Sequence, residues 1–188
     1  MAARDRKRYR ALASMPDISI NTSVLDLDDE ELPRRAQKIL LEAAPAERWT
    51  FEVTETAPIT DVAPALSILT RLRIAGFKLS VDDFGTGTSN YERLLVAPFT
   101  ELKIDRAMVS RLDINAAEPD PMVRSGIDVG HSLQLQVVAE GVESVDQFRM
   151  VRDLGCDAAQ GYLISPPVAP VQLDVALDDW RRKFEYLS

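Results

Sequence analysis

Cysteine and histidine are almost absent, with one of each in 188 residues. Cys156 has no intrachain disulfide partner and no second thiolate with which to hold zinc, so we expect a buried, inert thiol. His131 alone cannot supply a Ser-His-Asp triad or a multi-histidine metal site. Any acid–base or metal chemistry must therefore come from carboxylates, amides and lysine.

Long apolar runs are missing as well. No stretch approaches the roughly 18 to 20 consecutive apolar residues of a membrane-spanning helix, so we expect no membrane insertion and a cytoplasmic location. The opening segment, residues 1–17, is basic but has no apolar core of a signal peptide, and we interpret it as the start of a surface helix. A net charge of -8 argues against a nucleic-acid polymer as partner.

The rest of the chain alternates short apolar runs with segments of helical spacing. This alternation predicts an α/β fold with a parallel sheet. Gly76 and Gly155 stand where helices should end. Because no repeat, low-complexity tract or linker divides residues 18–188, we expect one domain there. The predicted strands are ISI at 18–20, WTFEV at 49–53, FKLSV at 77–81, ELKID at 101–105, LQVVAEGV at 135–142 and AAQGYLIS at 158–165.

Polar side chains stand at or just after the ends of these strands. In a βα barrel the carboxyl ends of the strands converge on one face, where active sites are built. Several carboxylates there would repel one another, so a cation is required: Lys103 offsets one charge, and Mg²⁺ or Mn²⁺ would offset more. Two such ions would suit phosphodiester hydrolysis without histidine. The polar residues are Asn21, Glu52, Asp82, Asp83, Lys103, Asp105, Glu140, Glu143 and Gln160.

Each of these residues also has an ordinary structural interpretation. A single acid after a strand is most often a helix N-cap or a loop residue. Lys103 could merely pair with a neighbouring acid. The glycine-rich loop DDFGTGTSN at 82–90 could be a plain turn, since it is not a Walker motif. Only the combination of these residues favours a functional site.

Six ordered segments resemble the successive signatures of EAL-type cyclic di-GMP phosphodiesterases, from about Ile18 to Pro167. The resemblance implies a TIM-like (β/α) barrel that hydrolyses cyclic di-GMP to linear pGpG with two Mg²⁺ or Mn²⁺ ions. The segments are ISINTS, FEVTET, LSVDDFGTGTSNYERL, LKIDRAMV, VVAEGVES and GCDAAQGYLISPP.

The resemblance also implies roles for individual residues. Lys103 would position the attacking water and stabilise charge at the phosphate, and Glu140 would act as a metal ligand or general base. Glu143 and Gln160 would contact the nucleotide, with Asp105 in the same substrate, metal and water network. Glu55 would anchor a regulatory loop that couples binding to dimer contacts. The implied metal ligands are Asn21, Glu52, Asp82 and Asp83, and the loop comprises Phe84, Gly85, Thr86 and Gly87.

The sequence departs from the family pattern in two places. Thr88 stands where an aromatic residue is usual, which bears on the packing of the loop. The Glu-Ala-Leu segment that names the family is absent, together with the first two barrel strands and a metal-binding Glu. We therefore expect an incomplete barrel of about six of eight strands. It would be either a piece of a longer protein, pairing with an upstream segment, or a chain that closes its barrel as a homo-oligomer.

Two other functions compete with hydrolysis of cyclic di-GMP. The first is a catalytically inactive regulatory module that binds the dinucleotide or a protein partner. The second is an unrelated barrel enzyme that uses magnesium to stabilise an enolate, since it too needs acidic strand ends and a lysine. The order and the amino-acid sequences of the six segments favour the phosphodiesterase.

Overall fold

The structure is a computed structural model that describes residues 17–54, 62–85, 91–113 and 120–184. The predicted basic helix lies outside these ranges except for its last residue, Asp17, which pairs with Arg48 and Lys78. Glu55, the predicted anchor of the regulatory loop, and the loop residues Thr86 and Gly87 also lie outside the described ranges.

Six parallel strands form one sheet in which each strand pairs with the next along the chain. This sequential order is that of a (β/α) barrel, whereas a doubly wound sheet reverses its order part-way. The prediction of a TIM-like α/β fold is confirmed. Within the described ranges, β1 and β6 each pair on one side only. The strands are Ile18–Thr22 (β1), Trp49–Thr54 (β2), Lys78–Phe84 (β3), Glu101–Ile104 (β4), Gln136–Ala139 (β5) and Ala158–Ala159 (β6).

Helices connect successive strands, and their ends follow local sequence signals. Ser144 forms a capping box with Gln147 at the start of the sixth helix. Gly76 and Gly155 have φ of 91° and 102° just past helix ends, as predicted. In the part of the chain that the structure describes, every helix is too short or too polar to cross a membrane. The helices are Leu32–Leu40 (α1), Val62–Ile74 (α2), Tyr91–Val96 (α3), Arg106–Val109 (α4), Pro121–Ser132 (α5), Val145–Asp153 (α6) and Leu173–Phe184 (α7), and 3-10 turns occupy Val24–Asp28, Ala46–Arg48 and Pro170–Gln172.

Two buried apolar clusters hold the helices against the sheet. In the first, the rings of Phe51 and Phe77 meet edge to face with centroids 5.3 Å apart, beside the fully buried Trp49. The second includes Ile127 of α5 and Leu102 of β4, both almost completely buried. Because both clusters extend along the central strands, they fix the positions at which those strands end.

The observed strands differ from the predicted ones by up to two residues at an end in β1, β2 and β4, and by more in β3, β5 and β6. β5 was expected over residues 135–142 but spans Gln136–Ala139. β3 was expected to end at Val81, but it continues to Phe84 through an irregularity in its pairing with β4. β6 was expected over residues 158–165, but it ends at Ala159. The chain turns at Gly161, where a Cβ atom would lie 2.2 Å from the carbonyl oxygen of Val142. This close approach replaces strand pairing with a turn.

Candidate metal centre and active site

The ammonium group of Lys103 lies among three carboxylates at the carboxyl ends of neighbouring strands. Lys103 Nζ is 3.1 Å from Glu52 Oε1 and 3.0 Å from Asp82 Oδ1. It is also 2.6 Å from Oε1 of Glu140, which follows β5. Lys103 is only 3% exposed and Glu52 only 8%, so these charges meet largely out of water. Residues from four separate segments therefore converge on one point.

A local irregularity in β3 brings two adjacent aspartates to this point. In a regular strand, successive side chains face opposite sides of the sheet. Asp83 has φ of 60°, a left-handed conformation that Asp adopts more readily than most residues, and the pairing register shifts between Val81 and Phe84. Carboxylate oxygens of Asp82, Asp83 and Glu140 consequently lie within 4.8 Å of one another. Both aspartates can thus serve the same site.

These residues fit a divalent cation. Asp82 Oδ1 is buried and lies 3.0 Å from Lys103 Nζ, and within the described residues it has no well-oriented hydrogen-bond donor. The carboxylates of Glu52, Asp82 and Glu140 contact one ammonium group, and a carboxylate oxygen of Asp83 lies within 4.8 Å of oxygens of Asp82 and Glu140, so the cluster holds four carboxylates and one ammonium group. Mg²⁺ and Mn²⁺ prefer such oxygen ligands, and a cation would offset the excess negative charge.

The pKa values in the cluster reflect this excess. Burial raises the pKa of Glu140 above its ordinary value; Lys103 opposes the rise, and the charges of Asp82 and Glu52 add to it. Burial by itself lowers the pKa of Lys103, but Glu140, Asp82 and Glu52 outweigh burial and raise it overall. Lys103 therefore stays charged, while burial and the neighbouring negative charges make the carboxyl group of Glu140 harder to deprotonate.

Asn21 lies beside this cluster rather than inside it. It is the direct neighbour of Glu52 in the parallel pairing of β1 with β2. It is exposed, whereas Glu52 is buried and contacts Lys103. The structure thus brings Glu52, Asp82, Asp83, Lys103 and Glu140 together and leaves Asn21 at the rim.

The three predicted substrate contacts are more peripheral. Asp105 caps α4, because its Oδ1 accepts a hydrogen bond of 2.7 Å from the backbone N–H of Ala107. Glu143 is exposed and pairs with Arg106. Gln160 is exposed beyond the end of β6, and its backbone N–H donates to the carbonyl of Ala139.

The described part of the predicted regulatory loop is tightly packed. Phe84 ends β3 and is 3% exposed within the second apolar cluster. Gly85 follows with φ of 98°, and a Cβ atom there would lie 2.0 Å from Met108 Sδ. Only glycine fits this position without displacing Met108, so the chain leaves the sheet at a fixed point.

Sequence reasoning missed Arg106 and Gly141. Arg106 Nη2 donates a 2.6 Å hydrogen bond to Glu143 Oε1. Gly141 has φ of 66° and lies directly beneath the Arg106 side chain. No signal in the sequence marks this contact, because Arg106 and Glu143 are 37 positions apart.

The fold and the site define a parallel α/β protein with an acidic candidate metal centre at the carboxyl ends of its strands. The sequence profile of the EAL domain matches residues 2–167. The chain therefore belongs to the EAL domain family.

Known relatives agree with this assignment. A cyclic di-GMP phosphodiesterase of Pseudomonas aeruginosa is 35% identical over 170 residues, covering 88% of this chain and 28% of the relative. The crystal structure of the EAL domain of Mycobacterium smegmatis DcpA is similar with a TM-score of 0.84 and 31% identity, over 95% of this chain and 80% of that one.

A complex of Klebsiella pneumoniae BlrP1 with manganese and cyclic di-GMP is similar with a TM-score of 0.77 and 29% identity, over 88% of this chain and 42% of that one. The same protein has also been solved with calcium and cyclic di-GMP. This chain spans between about a fifth and two fifths of the length of the first five curated relatives.

Proposed function

We propose that this chain hydrolyses cyclic di-GMP to linear pGpG with two Mg²⁺ or Mn²⁺ ions. The observation that carries the proposal is the convergence of Asp82, Asp83 and Glu140 within 4.8 Å, beside the buried Lys103. The bound cyclic di-GMP and manganese in the Klebsiella pneumoniae relative support the same substrate and cofactor.

The proposed metal ligands are Asn21, Glu52, Asp82 and Asp83, with Glu140 as a further ligand or the general base. When bound, the cations would supply charge neutralisation at the phosphate and a more acidic water. As the general base, Glu140 would accept a proton from a water held at this centre, where it lies close to both aspartates.

Lys103 would remain charged throughout the reaction. Its ammonium group, 2.6 Å from Glu140, would orient that carboxylate and stabilise negative charge developing on the phosphate. Asp105, Glu143 and Gln160 would contact the nucleotide around this centre, and Glu55 with residues 84–87 would couple binding to dimer contacts.

The proposal extends to partners and location. The substrate is a second messenger of the cell interior, so we place the protein in the cytoplasm. Pairing of β1 or β6 with another strand, from a second copy or from another segment, would complete the barrel. Size-exclusion chromatography with light scattering tests self-association directly.

The test of the function is incubation of the purified chain with cyclic di-GMP and MnCl₂, followed by chromatography of the nucleotides. We expect pGpG to form, EDTA to abolish it, and Glu52→Gln to reduce the rate by about 100-fold or more. Glu47→Gln, an exposed glutamate just before the same strand, is the matched control and should behave as wild type.

Binding of cyclic di-GMP without turnover would replace this proposal with the regulatory module. Absence of both binding and turnover would refute the two together.

A further inference from the structure

The side chain of Arg106 lies across the backbone of Gly141. A Cβ atom at Gly141 would fall 2.2 Å from Cγ and 2.8 Å from Cδ of Arg106, so the aliphatic part of the arginine occupies the space above the glycine. Beyond it, the guanidinium group bonds to Glu143, two residues further along the chain. One side chain thus contacts two positions of the segment that carries Glu140.

The remaining groups of this segment are held by other elements. The backbone N–H of Glu140 donates to Ile104 at 3.0 Å, and that of Val142 donates to Gln160 at 3.0 Å. The side chain of Val142 is fully buried. Arg106 adds a contact at Gly141, the link between Glu140 and Val142.

Stability alone does not account for an arginine at this position. Arg106 is the first residue of α4, a single turn of four residues whose weak dipole gives its charge little stabilisation. Its side chain is 64% exposed and that of Glu143 is 47% exposed, and such surface ion pairs contribute little to folding. Its contacts instead favour a role in local geometry.

We propose that Arg106 is a positioning residue that clamps Gly141 and Glu143 and thereby fixes Glu140 against Lys103 and the two aspartates. The contribution to catalysis rests on the proposed function, whereas the clamp itself does not.

Hydrogen exchange of the full chain tests the clamp without any ligand. In Arg106→Ala, we expect the amides of residues 140–143 to exchange about three- to tenfold faster than in wild type, because the segment opens more often. Arg106→Lys retains the aliphatic cover and one donor, so its effect should be intermediate. Arg152→Ala, which removes another exposed ion pair, is the matched control and should leave these amides unchanged. Wild-type exchange in Arg106→Ala would overturn the proposal.

Kinetics with cyclic di-GMP then separates positioning from direct contact. A positioning role predicts that Arg106→Ala lowers kcat by about tenfold with little change in KM, and that Arg106→Lys recovers part of the loss. Gly141→Ala, whose new methyl group displaces the arginine, should reproduce the effect on kcat. A rise in KM with kcat unchanged would mean that Arg106 acts on nucleotide binding, directly or through Glu143, and would overturn its role in positioning Glu140.

If the wild-type chain shows no turnover, the proposed function fails. The exchange experiment still decides the clamp.

Discussion

Replacement of Lys103 by methionine should destabilise the fold by about 3 to 5 kcal/mol in the absence of divalent cations. Methionine retains most of the side-chain volume, so the main change is the loss of charge. At an effective dielectric constant near 20, each of the three contacts at 2.6 to 3.1 Å contributes roughly 5 to 6 kcal/mol before desolvation is subtracted. Without Lys103, buried carboxylates would face one another uncompensated.

Urea unfolding in EDTA, followed by circular dichroism, measures this loss, and the thermal midpoint should fall by about 6 to 20 °C. Lys78→Met is the matched control. Lys78 Nζ lies 3.0 Å from Asp17 Oδ2, but its side chain is 34% exposed, so we expect a change below about 1 kcal/mol. Equal stability of Lys103→Met and wild type would refute the interpretation of the cluster as crowded negative charge.

Two further predictions concern groups outside the site. Cys156 is half-buried, and this partial burial raises its pKa to about 12. Iodoacetamide at pH 8.5 should therefore alkylate the native chain roughly a thousandfold more slowly than the urea-unfolded chain, as followed by mass spectrometry, and equal rates would contradict the raised pKa. Gly130→Ala should destabilise the fold by about 1 to 2 kcal/mol in urea titrations, because its Cβ would lie 2.5 Å from a methyl group of the buried Val137. Ser125→Ala, at an exposed position of the same helix, should be neutral, and a stabilised Gly130→Ala would show that the sheet moves to accommodate the new methyl group.

The architecture and most of the central site could be predicted from the sequence. Apolar strands alternate with helical segments, and parallel strands must place their carboxyl ends on one face. Glu52, Lys103 and Glu140 meet for this reason alone, as their distances confirm. The interpretation of Lys103 as a partner of neighbouring acids describes the structure, and its role in catalysis stays a prediction.

Features that depend on one backbone angle or one close contact could not be predicted. The irregularity at Asp83 has no sequence signal beyond an aspartate that tolerates positive φ, yet it brings both aspartates to the same site. In the sequence, the position of Asp105 after a strand is compatible both with a ligand and with a helix cap. The hydrogen bond that it accepts from the backbone N–H of Ala107 shows that it caps α4. The contact of Arg106 with Gly141 arises only when two loops from different strands meet.

Calorimetric titration of Mn²⁺ into the metal-free chain tests the central claim most directly. Wild type should bind Mn²⁺ saturably, and Asp83→Asn should lose most of that binding, because one of the clustered carboxylates becomes a neutral amide. Asp128→Asn, an exposed aspartate on α5, should bind as wild type does. Indistinguishable isotherms for wild type and Asp83→Asn would contradict the assignment of a metal centre to these strand ends.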